Sequence, residues 1–222
     1  MPRSDPPPDC PSPNGPRVRV LATGTSFWRI HGAGHEPAAF RDVGAEAKRA
    51  DPVTHGSEGR FDCQAGEYGY LYAGETKAST IAEAFLRGPV VRDPAARFMR
   101  RARLDDRVLS RLRLAVDLPV VDLCGAAGLG QVGQDAWLTA CDEVDYPMTQ
   151  QWATAIRTWA PDAAGLVSMS KRDNLHEALV LFADRVPAGA LTGDVVRHLD
   201  SPLGVTLVEK VLARCNVVLG RS

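Results

Sequence analysis

The chain has 222 residues, with 26 basic and 27 acidic side chains and a formal charge of −1. Hydrophobic residues make up 45% and charged residues 24%, the profile of a folded globular domain rather than a disordered, collagen-like or coiled-coil chain. So near-neutral a balance argues against binding nucleic acid or an anionic membrane through bulk charge.

The basic residues are skewed, with 22 Arg and 4 Lys. A GC-rich genome accounts for that, as does a demand for forked recognition of phosphate or carboxylate, which Arg does better than Lys. No stretch approaches the ~20 apolar residues that a membrane helix needs. Five scattered cysteines (Cys10, Cys63, Cys124, Cys141, Cys215) include no close pair for a zinc knuckle or redox motif, and an odd number cannot pair fully. A reduced, cytoplasmic setting is the expectation.

Residues 1–17 hold seven of the sixteen prolines and no signal-type apolar core, so they read as an extended or disordered lead-in. Order is expected from Val18. Val18–Leu21 and Ser26–Ile30 are strand candidates, and residues 31–67, rich in Gly, His, Pro and charge, read as a long loop region. Tyr68–Ala73 fits a buried strand. In the helix expected over Thr76–Arg87, Ala78, Ile81, Ala82 and Phe85 form the apolar stripe, and Gly88-Pro89 ends it. Ser79 and Glu83 lie on a different face. Arg111–Val116 and Val120–Cys124 read as strands. Thr149 is a candidate N-cap for a helix with Trp152, Ala153, Ile156 and Trp159 buried. Gly165–Ser170 and Leu179–Asp184 are further strands, and Leu207, Val208, Val211 and Leu212 have helical spacing within Pro202–Cys215. The mixture predicts a single α+β domain with a mixed sheet over residues 18–190, followed by a C-terminal segment, 191–222, with a helix.

Several motifs have competing readings. Gly128-Leu-Gly-Gln-Val-Gly133 matches a dinucleotide fingerprint, but barely two helical turns follow and the expected acidic residue is missing, so it reads as a glycine-rich loop. Between Arg92 and Arg113 eight Arg face three Asp, a local excess of +5. With only Phe98 available for stacking, a solvated helix face or a docking surface for an acidic partner suits it better than a nucleic-acid site. The five histidines lack metal spacing; His31 and His35 are four apart, but in a segment too rich in glycine for a helix. Thr80-Ile-Ala-Glu83 matches a capping box, which makes Glu83 a structural cap. A helix starting at Thr76 instead leaves Glu83 two turns inside, exposed or serving a cleft. Spacing leaves both open. Arg29, between Trp28 and Ile30, fits the solvated face of an edge strand better than a buried phosphate ligand.

The order Phe27-Trp28-Arg29-Ile30-His31, Gly59-Arg60-Phe61-Asp62, Tyr70–Thr76, Ala78–Glu83, Gly165–Ser170 and Leu179–Phe182 resembles the RES-domain family, named for an Arg, a Glu and a Ser. Tyr146-Pro-Met-Thr-Gln-Gln-Trp152 is similar to that family's Tyr-x-x-Thr-Gln helix start. The resemblance implies a fold like that of ADP-ribosyltransferases and diphtheria-type NAD-binding toxins. It implies an NAD+-degrading toxin that cleaves the nicotinamide–ribose bond by phosphorolysis or hydrolysis, neutralised by an Xre-like antitoxin. NAD+ is then a substrate, inorganic phosphate a second one in phosphorolysis, and no cofactor or metal is expected.

The resemblance assigns Arg29, Glu83 and Ser170 as catalytic residues, with Arg60, Tyr72, Ser168 and His176 binding substrate. A carboxylate such as Glu83 stabilises an oxocarbenium-like transition state through a ribose hydroxyl. Forked guanidinium groups suit a diphosphate, and Arg60 either shares that role with Arg29 or binds attacking phosphate. Tyr72 is placed to stack on a ring. Ser168-Met-Ser170 stands where the family commonly has Tyr-Pro-Ser, so Ser168 competes with Ser170 for a bond to phosphate or the nicotinamide amide. His176 replaces a customary Asn. ADP-ribose transfer to a macromolecule, or a catalytically silent binding module, are the alternatives, and a homo-oligomeric state is left open.

Overall fold

A computed structural model describes residues 5–41, 59–63, 66–86 and 97–220. Among the described residues, ten strands and five α-helices follow one another. The strands are β1 (Val18–Leu21), β2 (Ser26–Gly32), β3 (Tyr70–Gly74), β4 (Phe98–Met99), β5 (Arg107–Leu114), β6 (Leu118–Asp122), β7 (Gly165–Met169), β8 (Glu177–Phe182), β9 (Leu191–His198) and β10 (Val218–Leu219). The helices are α1 (Lys77–Phe85), α2 (Gly125–Gln131), α3 (Trp137–Ala140), α4 (Tyr146–Trp159) and α5 (Pro202–Arg214). This is the mixed α+β architecture expected from the sequence.

Eight strands form one sheet in the order β1-β6-β7-β8-β3-β2-β5-β9, in which only β6 and β7 run parallel. Its halves barely touch. β3 and β8 share five registered pairs and β2 and β5 share seven, but β2 and β3 meet only at Trp28–Gly74. One apolar cluster takes residues from seven strands, among them Phe27, Leu71, Leu112, Leu118, Val167 and Leu181, so the sheet curls around it. On the outer face, α2, α3 and α4 bury Leu129, Leu138, Trp152 and Ile156 against Val121, Leu166, Val180 and Phe182. Helices α1 and α5 bury Ile81, Phe85, Val208 and Leu212 against Leu109 of β5. Burying each such side chain contributes on the order of 1.5–3 kcal/mol, which holds the two helix groups on either side of the split.

Helix α1 starts as one of the two sequence readings required. The Thr76 hydroxyl accepts from the Ser79 amide at 3.0 Å, while Ser79 Oγ accepts from the Thr76 amide at 3.2 Å. The cap is therefore Thr76, its reciprocal partner is Ser79, and Glu83 lies inside the helix rather than closing a box with Thr80. At the other end, Arg103 Nη1 donates to Phe85 O (2.7 Å) and Nη2 to Ala84 O (3.2 Å), satisfying carbonyls that the helix leaves open.

Four expectations change. The Gly128–Gly133 stretch is no loop: Gly128 and Gly130 lie within α2, and Gly128 packs so closely on the Asp122 carbonyl that a Cβ has no room. The Arg-rich stretch is not a helix face. Its described part contains a 3-10 turn and β5, whose Arg107, Arg111 and Arg113 are exposed while Val108, Leu109, Leu112 and Leu114 are buried. Thr149 is not a cap, because α4 already begins at Tyr146 with Pro147 in its first turn. Strand β9, which pairs with β5, had no signal, since five of its eight positions are exposed. Gly88, Pro89, Arg92 and His55, which entered the sequence readings, lie outside the described residues. In the lead-in, Ser12 Oγ bonds Gln131 Oε1 at 2.5 Å and the Pro8 carbonyl accepts from Trp159 Nε1 at 3.1 Å.

Candidate active site

A cavity of about 410 Å3 opens where the sheet halves separate, between α1 and the β3-β8-β7 surface. Gly74 lines it at the β3–α1 turn, where a Cβ would sit 2.5 Å from Thr80 Oγ1; the turn fits because the residue is glycine. Glu83 and Ser79 line it from α1, Tyr72 from β3, Ser168 and Ser170 from the β7 strand and its end, and Arg60 from the turn at 59–62.

Glu83 and Ser170, 87 residues apart in sequence, are joined directly. Ser170 Oγ donates to Glu83 Oε1 at 2.6 Å, and the same carboxylate oxygen accepts from the Arg172 amide at 3.1 Å. Ser170 Oγ in turn accepts from the amides of Arg172 (3.2 Å) and Asp173 (3.0 Å). A hydroxyl has one proton to give, and those two amides leave it aimed at Glu83. The turn is closed by the Ser170 amide bonding the His176 carbonyl (2.9 Å) and by His176 Nδ1 against Asp173 Oδ2 (2.9 Å). His176 thus closes the Ser170 turn from outside the cavity lining. Ser168 behaves differently from Ser170. It is buried on β7, lines the cavity, and its hydroxyl bonds to no described residue.

Arg60 is 6% exposed, and its guanidinium has no hydrogen bond or ion pair among the described residues. Burying an uncompensated cation is costly unless something else holds it in place or a ligand completes it. Its turn is fastened at four points. Thr149 Oγ1 donates to Arg60 O (2.8 Å), Gln150 Nε2 to Gly59 O (2.9 Å), the Gly59 amide to Asp62 Oδ2 (2.7 Å), and the Tyr72 hydroxyl to Asp62 Oδ1 (2.8 Å). The Phe61 amide donates back to the Tyr72 hydroxyl at 3.0 Å.

Arg29 sits elsewhere. It shares its β2 face with Phe27, opposite Ile30, which lines the cavity. Its Nη1 donates to the carbonyls of Pro37 (2.7 Å) and Ala39 (2.5 Å), and burial pushes its pKa down to about 10. Arg29 fastens the 37–39 segment over the sheet and does not line the cavity. Of the seven residues singled out in the sequence, Glu83, Ser170, Ser168, Arg60 and Tyr72 come together, while Arg29 and His176 serve as supports.

Arg103 and Arg107 also line the cavity, with Asp105 between them. The local +5 charge pointed to this stretch, but not to a cleft. Burial pushes the Cys124 thiol up to about 12, away from the nucleophilic thiolate. Among the described residues, no group of three His, Cys, Asp or Glu side chains could hold a metal ion, and no helix is long and apolar enough to cross a membrane.

Comparison with known proteins bears on both fold and site. The RES domain profile matches residues 26–203, a span that includes every cavity residue discussed above. A solved structure described as the M. tuberculosis MbcT–MbcA toxin–antitoxin complex contains a chain that superposes with a TM-score of 0.58 at 17% identity, covering 87% of this chain and 92% of that one. At that identity the likeness establishes the shared fold. No curated protein sequence matches the chain.

Proposed function

The chain belongs to the RES-domain family, and on that footing we propose that it is an NAD+-degrading enzyme cleaving the nicotinamide–ribose bond, the toxin of a toxin–antitoxin pair. The observation that carries the reading is the cavity's pairing of an oriented carboxylate, Glu83 held by Ser170, with a buried guanidinium, Arg60, that has no hydrogen-bond or ion-pair partner among the described residues.

In this reading the C1′–N bond of the nicotinamide ribose breaks first, and its electron pair leaves with nicotinamide, which departs neutral. Nicotinamide is cationic in NAD+, so its departure needs no acid. Positive charge develops over C1′ and the ring oxygen. Glu83, hydrogen-bonded to a ribose hydroxyl, stabilises that charge more in the transition state than in the bound substrate. Ser170 touches the carboxylate and fixes its direction. Arg60 takes the diphosphate or an attacking phosphate, and Ser168, whose hydroxyl faces the cavity, supplies a further donor. The Tyr72 ring offers a stacking surface. Phosphate oxygen closing on C1′ gives ADP-ribose 1″-phosphate; water gives ADP-ribose and a proton. Arg29 and His176 act through the segments they hold. The fold shared with a chain of the toxin–antitoxin complex supports an antitoxin partner for this chain too; that the partner is Xre-like and covers the cavity mouth is what the family resemblance implies. The enzyme then works in the cytoplasm, without a cofactor.

The test is free nicotinamide released from NAD+ with and without inorganic phosphate. Release only with phosphate establishes phosphorolysis, and equal release in both establishes hydrolysis. Release that requires an added protein substrate identifies ADP-ribose transfer. No release from folded protein refutes the enzymatic reading and leaves a binding module.

A further inference from the structure

We propose that Thr149 and Gln150, in the first turns of α4, are positioning residues for Arg60, and that they hold its guanidinium where a phosphate group of the substrate must meet it. The inference rests on the reading of the cavity as a dinucleotide site and adds residues that line none of it.

Three observations converge. First, both side chains are buried, Thr149 at 0% and Gln150 at 2% exposure, and neither is in apolar company only: each spends a donor on a backbone carbonyl of the 59–62 turn. A buried hydroxyl and amide at adjacent helix positions are costly unless bonded; the hydroxyl also has the Tyr146 carbonyl of its own helix at 3.1 Å, but its shorter contact, like the amide's bond, goes to one turn about ninety residues away in sequence. Second, the turn cannot shift to follow them. Gly59 is packed so that a Cβ would lie 2.6 Å from Tyr72 Oη, and Asp62 bridges the Gly59 amide and the Tyr72 hydroxyl. Third, the residue so held is the cation least suited to stay there unaided. With its Nε buried and unbonded, the Arg60 side chain gains by swinging toward water, and a loosened turn permits that. Fixing a charge in a desolvated position before the ligand arrives is electrostatic preorganisation: the reorganisation is complete before the anion binds.

The test uses Thr149→Val, Gln150→Met and Thr149→Ser in the full chain, with Thr158→Val as a control for the helix. Among the described residues, the Thr158 hydroxyl bonds only the Thr154 carbonyl of its own helix. Three quantities are measured: thermal midpoint, the NAD+ dependence of nicotinamide release, and ADP-ribose affinity by calorimetry. Thr149→Val and Gln150→Met are expected to raise KM and weaken ADP-ribose binding on the order of tenfold, the value of one lost buried hydrogen bond transmitted to the anion. Thr149→Ser restores both to within about twofold of the parent, because its hydroxyl reaches the same carbonyl. A lowered midpoint with unchanged KM and ADP-ribose affinity overturns the inference and leaves a purely structural contact. If the parent protein binds ADP-ribose but releases no nicotinamide, the enzymatic reading fails while calorimetry on the variants still decides the positioning role. If the parent binds no ADP-ribose, both fall together.

Discussion

Ser170 donates its only hydroxyl proton to Glu83 Oε1 across 2.6 Å, joining the end of β7 to the middle of α1 over the cavity. Both elements are rigid: α1 is capped at both ends, by Thr76 and by Arg103, and the Ser170 turn is closed by two backbone amides and the Asp173–His176 pair. A carboxylate fixed in this way keeps its direction without help from substrate.

Removing the carboxylate separates chemistry from folding. Glu83 is off the apolar stripe of α1, so Glu83→Ala is expected to reduce nicotinamide release by at least roughly 1000-fold in protein that still folds, with a stability loss no greater than about 1–3 kcal/mol from the bonds of Ser170 and Arg172. Ser170→Ala acts one step back. It leaves the Arg172 and Asp173 amides without their acceptor and lets Glu83 turn, so kcat should fall roughly 10- to 100-fold, with a stability loss of about 1–3 kcal/mol. Retained NAD+ consumption in Glu83→Ala would remove the carboxylate from the mechanism.

The two arginines differ in kind. Arg60→Ala removes a cation with no partner among the described residues, and is expected to raise KM for NAD+ roughly 10- to 100-fold with little loss of stability. Arg29→Ala strips the carbonyls of Pro37 and Ala39 of their donor, so it should cost about 1–3 kcal/mol in urea unfolding and leave KM of the folded protein unchanged. The reverse pattern in steady-state kinetics and denaturation would return the substrate contact to Arg29.

Helices α1 and α5 and strands β2, β3, β7 and β8 are legible in the sequence because each buries one apolar stripe or run, whereas β1 is legible as a β-branched run although only Leu21 is buried. Glu83 was visible for the same reason, as a carboxylate off the stripe of α1. Strand β9 was not, since a strand that exposes Asp194, Val195 and Val196 together carries no alternation. Arg60 is singled out by the family resemblance and not by its spacing; its placement depends on bonds from Thr149 and Gln150, and the spacing of neighbours in sequence holds no trace of a contact between residues so far apart. The placement of Arg29 depended on which way β2 faces, which a short strand buried on both sides does not disclose.

Glycine in α2 gives a direct check on that helix. Gly128 packs on the Asp122 carbonyl, so Gly128→Ala is expected to destabilise by about 1–3 kcal/mol through forced separation of α2 from β6. Gly130, two residues on, has open space around it and an ordinary helical backbone, so Gly130→Ala should stabilise by about 0.5–1 kcal/mol. Denaturant unfolding of both variants reads the contrast. Equal effects would return the segment to a loop.

Acid should weaken the fold through a pair that does not line the cavity. His31 is buried on β2, with Nδ1 3.0 Å from the Gly32 carbonyl and Nε2 2.8 Å from Ser110 Oγ. The Gly32 carbonyl selects the Nδ1–H tautomer, so Nε2 accepts from the serine hydroxyl in the neutral form. Burial holds the imidazole pKa below its ordinary 6.5, and the charges of Arg29, His35 and Arg107 act in the same direction. The unfolded chain therefore binds a proton that the folded one resists, and stability rises with pH across that interval. The contribution is complete above about 6.5 and is lost progressively as pH falls below it. Thermal midpoints measured from pH 8 to pH 5 should drop on the acid side, and the drop should shrink in His31→Gln, which keeps a polar group facing Ser110 and cannot take up the proton. An unchanged acid slope in that variant would assign the loss to other groups.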